Sequence, residues 1–164
     1  MASEGEYQLR VLLELRQNER EAAEAHYAEV LHLYHRAGEA VRRHQERHRQ
    51  LVELRRKKTR EFDQAAVVGV TELASLQGFD SYLAGLQDQE EAVLEEVEQA
   101  RAEQFQSQAR MRRAHEEMLA AIKAQQAVTK HFEKWQQEQQ QQARRKEANR
   151  MDDVAARIWR EERS

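Results

Sequence analysis

The chain has 164 residues, 35% of them charged, with a net charge of −3, no cysteine and no proline. A mean hydropathy of −1.02 and an aromatic content of 6% exclude a thick globular core, and the missing thiols exclude disulfides, cysteine nucleophiles and cysteine-based metal sites. No run approaches the ~20 apolar residues of a membrane span, and the opening MASEGEYQLR lacks the plan of a secretory signal, so the expectation is a cytoplasmic protein with no direct membrane insertion.

What remains is a sequence rich in Ala, Glu, Gln, Arg and Leu, the composition of long helices or coiled coil. From the N-terminus, apolar and small residues recur in alternating steps of three and four: Leu9, Leu13, Ala23, Tyr27, Val30, Tyr34, Ala37, Val41, His44, His48 and Leu51. That rhythm predicts a first helix over about 6–65, with a seam rather than a broad apolar face. Arg16 and Arg20 interrupt the seam, and Gly38 sits inside the helix.

Residues 66–78, AVVGVTELASLQG, are poor in charge and hold Gly69 and Gly78; they read as the connection. The same rhythm then resumes with Phe79, Leu83, Leu86, Val93, Val97, Ala100, Met111, Ala114, Met118, Ala121, Val128, Phe132 and Trp135, predicting a second helix over about 79–162. The expected fold is therefore all-α: a single elongated domain made of an antiparallel coiled-coil hairpin.

Facing residues in such a hairpin have numbers that add to a near-constant total. Phe62 with Leu83, Leu51 with Val93, Tyr34 with Met111, Tyr27 with Met118, Leu13 with Phe132 and Leu9 with Trp135 satisfy that condition. The basic run RRHQERHRQLVELRRKKTR at 42–60 then lies beside the acidic stretch 84–103, and is expected to be satisfied by its partner helix rather than by nucleic acid or anionic lipid.

Nothing in the pattern points to catalysis. His32 and His35 stand three apart and His44 and His48 four apart, spacings that can put two ligands on one face, but no third or fourth ligand converges with them. No phosphate-binding glycine loop occurs. The expectation is a non-enzymatic protein without metal or cofactor.

The register has a further consequence at the C-terminus. If Leu9 meets Trp135, the second helix continues alone through WQQEQQQQARRKEANRMDDVAARIW and beyond, a projection of roughly 40 Å at about 1.5 Å per residue. Its glutamine-rich start has nothing to pack against. Near its end, Met151, Val154, Ala155 and Ile158 fall at helical spacing and form a short apolar stripe.

Three segments together resemble the FliJ family of flagellar export proteins and its virulence-secretion relatives of the YscO group. They are YQLRVLLELRQNEREAA at 7–23, LQGFDSYLAGLQDQEEAV at 76–93 and RMDDVAA at 150–156, the last similar to a terminal Met-Asp-Glu motif with Asp153 where Glu is usual. The resemblance implies a stalk similar to the central coiled coil of rotary ATP synthases. Such a stalk would associate with the hexameric ATPase of the type III export apparatus, link it to the membrane export gate, and meet export chaperones. It would work as a cytoplasmic component peripherally associated with the inner face of the membrane.

By that resemblance Leu9, Leu12, Leu13, Met151, Asp152, Asp153, Val154 and Ile158 face the ATPase ring. The family's aromatic with a leucine four residues later, facing the export gate, is matched by Tyr82 and Leu86, with Phe79 nearby. Leu86 also lies on the predicted seam. A virulence-type stalk and a generic coiled-coil tether share the same composition; a membrane- or nucleic-acid-binding pair would use 42–60.

Overall fold

A computed structural model describes residues 4–69 and 73–164. The first helix, α1, spans Glu4–Val67 and the second, α2, spans Leu73–Arg163, so the protein is all-α with two long helices. No proline interrupts either, and the straight-chain residues that dominate both lose little side-chain freedom in a helix.

The end of α1 is set locally. Val68 N–H donates to the Gln64 carbonyl at 3.3 Å and Gly69 N–H to the Ala66 carbonyl at 3.2 Å. Gly69 has φ of 77°, the left-handed conformation that closes a helix and that only glycine adopts without strain. The connection is shorter than the 66–78 expected, because Leu73–Gly78 already belongs to α2. Low charge and a second glycine suggested a turn there, yet Gly78 is helical, and Gly69 alone among the described residues has positive φ. Residues 70–72 of the expected connection lie outside the described residues.

The chain divides into two compact units, His26–His115 and a second formed by Met1–Ala25 with Glu116–Ser164. In the first, α1 and α2 pair antiparallel over a seam of small and β-branched residues. Val30, Val41, Leu86, Val93, Val97, Ala100 and Ala114 are its buried core, and all seven belong to the predicted seam. The alanines and Gly38 permit close approach: a Cβ at Gly38 would stand 3.2 Å from the Gln104 amide nitrogen. Near the connection, Phe62 stacks on Phe79 with centroids 3.9 Å apart and planes 6° from parallel. At the other end of this unit, the Tyr27 and His115 rings meet at 5.3 Å. Both ring contacts fall about one turn from the partners that spacing assigned, Leu83 and Met118. Long side chains in a helix lean toward its N-terminus, so a seam contact is shared along the partner rather than fixed on one residue.

In the second unit the pairing is looser. Leu9, Leu13, Phe132 and Trp135 are half-buried, and none of the unit's described residues is fully buried. Trp135 Nε1 stands 3.9 Å from where a Cβ at Gly5 would lie, placing the tryptophan at the very start of α1. Arg20, which breaks the apolar seam, is accommodated by donating to Gln125 Oε1 at 2.6 Å and to Glu24 at 2.9 Å. Beyond Trp135 every residue from Gln136 to Ser164 is exposed, and α2 continues to Arg163. The overhang expected from the register is present.

Candidate interaction surfaces

The basic segment of α1 is paired partly as expected, with the acidic stretch of α2, and partly along its own helix. Across the helices, Arg55 Nε reaches Glu90 at 2.6 Å, and Glu96 receives His44 Nδ1 at 3.2 Å and Arg47 at 3.9 Å. Glu96 Oε2 is shielded from solvent and has no hydrogen bond, so the Arg47 guanidinium at 3.9 Å is its permanent charge partner. Two further cations of the segment pair within α1. Arg49 bridges Glu46 at 2.6 Å and Glu53 at 2.7 Å, and Lys58 meets Glu61 at 3.3 Å. The Arg49 guanidinium donates to Glu46 and holds its carboxyl below the ordinary glutamate value; Arg49 itself is pushed upward, first by that same bond. A basic run with glutamates three and four residues away pairs along its own helix first, since those side chains are neighbours there without any partner.

Among the described residues no group of three or more His, Cys, Asp and Glu could hold a metal ion, and no helix is long and apolar enough to cross a membrane. His35 lies against Tyr34, with ring centroids 5.8 Å apart.

The residues assigned to the ring-facing end divide into two groups. Leu9 and Leu13 are half-buried in the seam, so only Leu12 of the three leucines offers much surface. On the overhang Met151, Asp152, Asp153, Val154 and Ile158 are all exposed, with Met151 at 66%. Among the described residues no second helix covers this stripe, because α1 begins at Glu4, near the level of Trp135.

At the other proposed contact, Tyr82 is 44% exposed while Leu86 is 5% exposed and Phe79 is engaged with Phe62. The seam therefore uses Leu86 and Phe79, and Tyr82 is the side chain of the three left largely available.

Spacing along the seam did not single out several exposed apolar residues. Tyr7, Val11 and Leu15 are exposed at i, i+4 and i+8 on the side of α1 turned from α2, with Leu12 at their edge. Their periodicity was visible, but it ran beside the stronger seam of Leu9 and Leu13. Trp159 extends the overhang stripe, and Arg163 stacks over its ring at 4.1 Å. Phe105, 74% exposed in the middle of α2, has no comparable apolar row around it. Chemically, these surfaces can bind apolar faces of other helices; none encloses a substrate. Comparison with protein-family models, with curated proteins and with solved structures finds no match to this chain.

Proposed function

We propose that the protein is a non-catalytic stalk of a bacterial type III export apparatus, of the flagellar FliJ kind, coupling the hexameric export ATPase to the membrane export gate. The observation that carries this reading is the overhang: α2 runs from Gln136 to Arg163 past Trp135 with every residue exposed, and carries the stripe Met151, Val154 and Ile158 near its end. A helix that outruns its partner and then becomes apolar has surface suited to insertion into another protein. The sequence resemblance at 7–23, 76–93 and 150–156 supplies the identity of that partner.

Coupling follows from symmetry. A two-helix shaft cannot meet six equivalent subunits equally, so it binds them with different strengths around a ring. Such differential affinity biases the ring's conformational states, which is the only way a ligand shifts an equilibrium. Asp152 and Asp153 beside the stripe would orient the shaft against basic groups of the ring, and Tyr82 would serve the gate end.

The test is ATP hydrolysis by the cognate export ATPase with and without the chain. The full chain should stimulate turnover, and Met151→Ser with Ile158→Ser should abolish stimulation while leaving helicity intact. Equal stimulation by the double variant rejects the assignment. A generic tether, the second reading, predicts no stimulation by either.

A further inference from the structure

Among its described residues the terminal unit carries large apolar side chains outside but no fully buried one inside, an imbalance that the other unit does not share. Two stripes make up most of that surface. One is Tyr7, Val11 and Leu15 on α1; the other is Met151, Val154 and Ile158, widened by Trp159, on the overhang. Each spans about two helical turns, so each has the length to cover the other. Within one chain they cannot meet. Tyr7 lies close to the level of Trp135, and Met151 is more than ten residues further along α2, roughly 20 Å away at about 1.5 Å per residue.

We infer that a second copy of this chain covers both stripes, in an antiparallel homodimer whose overhangs exchange. A two-fold axis perpendicular to α2, near residue 144, lays the overhang of each copy on the outer side of the other copy's α1. By that symmetry the overhang runs parallel to the α1 it covers. Tyr7 then faces Met151 of the second copy, and Leu15 faces its Trp159. The two α1 N-termini approach each other end-on in the middle, where the glutamine-rich stretch needs no apolar cover.

Charge fits the same alignment. Helical rotation puts Arg10 on the edge of its stripe that meets Asp152, and Glu4 on the opposite edge, which meets Arg150. All four residues are exposed within a single chain, where Arg10 also donates to Glu6 at 2.6 Å on the side of α1 next to the stripe. The apolar area is also adequate: the part-exposed large side chains of the two symmetric contacts amount to on the order of 1,500 Å², the standard size of a stable protein pair. An isologous contact of this kind closes on itself and stops at two.

The dimer does not rest on the export reading, and its test uses the isolated full chain with no ATPase present. Sedimentation equilibrium should show a monomer–dimer equilibrium between micromolar and near-millimolar concentration. Leu15→Ser and Trp159→Ser should each weaken it tenfold or more without loss of helicity. Arg10→Asp should weaken it, and the added change Asp152→Arg should restore it, which a merely structural effect does not do. Because the chain has no cysteine, mixing Tyr7→Cys with Met151→Cys chains should give the mixed disulfide on oxidation, at a rate well above that of Tyr7→Cys mixed with Leu33→Cys. A monomer at every concentration overturns the inference, as does a dimer indifferent to these substitutions or a mixed disulfide no faster than the control.

Discussion

Val93 tests whether the seam is what holds the helices together. It is 2% exposed, the largest side chain so fully enclosed. Val93→Ala removes two methyl groups, worth about 1.6 kcal/mol in transfer at ~0.8 kcal/mol each. The void adds to that, but a two-helix layer is open at its flanks and can close on the gap, so the cavity contribution falls at the low end. Alanine also returns about 0.5 kcal/mol, because β-branched valine loses rotamer freedom in a helix. The net expectation is destabilisation of about 1–2 kcal/mol, a fall in Tm of roughly 2–8 °C for a chain of this size.

The assay is thermal and urea unfolding followed by far-ultraviolet circular dichroism, with Phe105→Ala as the control. Phe105 is much larger but 74% exposed, so its truncation should stay within about 0.5 kcal/mol of the parent. A control that falls as far as Val93→Ala, or a Val93→Ala chain as stable as the parent, refutes the view that stability resides in the seven buried residues.

Ala114, also 2% exposed, should not accept a larger side chain: Ala114→Leu is expected to cost about 1–3 kcal/mol in the same melts, since the helices must part to admit it. Gly38→Ala should stabilise by about 0.5–1 kcal/mol through helix propensity, because the crowding atom 3.2 Å away is the end of the flexible Gln104 side chain. Gly69→Ala should act in the opposite direction, as its φ of 77° strains any side chain. For pH, the Glu46 carboxyl is held low in the folded state, so its contribution is present above the unfolded glutamate range and is lost as pH falls through the folded value. Glu46→Gln should therefore flatten the acid side of a Tm-against-pH curve slightly and leave the alkaline side unchanged; the effect is small because the pair is exposed to solvent.

How much of this was legible in the sequence depended on whether a residue answers to its own helix or to another. The seam residues announced themselves by period, and every buried side chain among the described residues, from Val30 to Ala114, lies on it. The overhang followed from the same register, since α1 begins near the level of Trp135. The start of α2 was not legible, because Gly78 and the charge-poor stretch before it also suit a turn, and only the observed backbone distinguishes a helical glycine from Gly69. Which cations pair along their own helix rather than across it was missed for a related reason. Arg49 has glutamates three residues before and four after it, so the local bond formed first, while Arg55 alone of the two reached across, to Glu90. The stripe Tyr7, Val11 and Leu15 was readable by spacing but gains meaning only once exposure shows that nothing of this chain covers it.

The division of burial between the units carries a mechanical consequence. Among the described residues all seven buried ones fall in His26–His115, although the terminal unit is comparably long and also helical. Fixing a residue's backbone costs about 1–2 kcal/mol of conformational entropy, and a helix without a buried face offsets this only through its own hydrogen bonds and propensity. The terminal unit must then open at lower free energy than the seam-locked one, and amide exchange should be fastest in the overhang and in 4–25. Whatever binds the exposed stripes, a ring or a second copy, adds the missing burial and slows that exchange by mass action. Exchange at 4–25 that is already as slow as at Val93 in dilute protein would show that the unit needs no partner, and would remove the physical motive for both contacts.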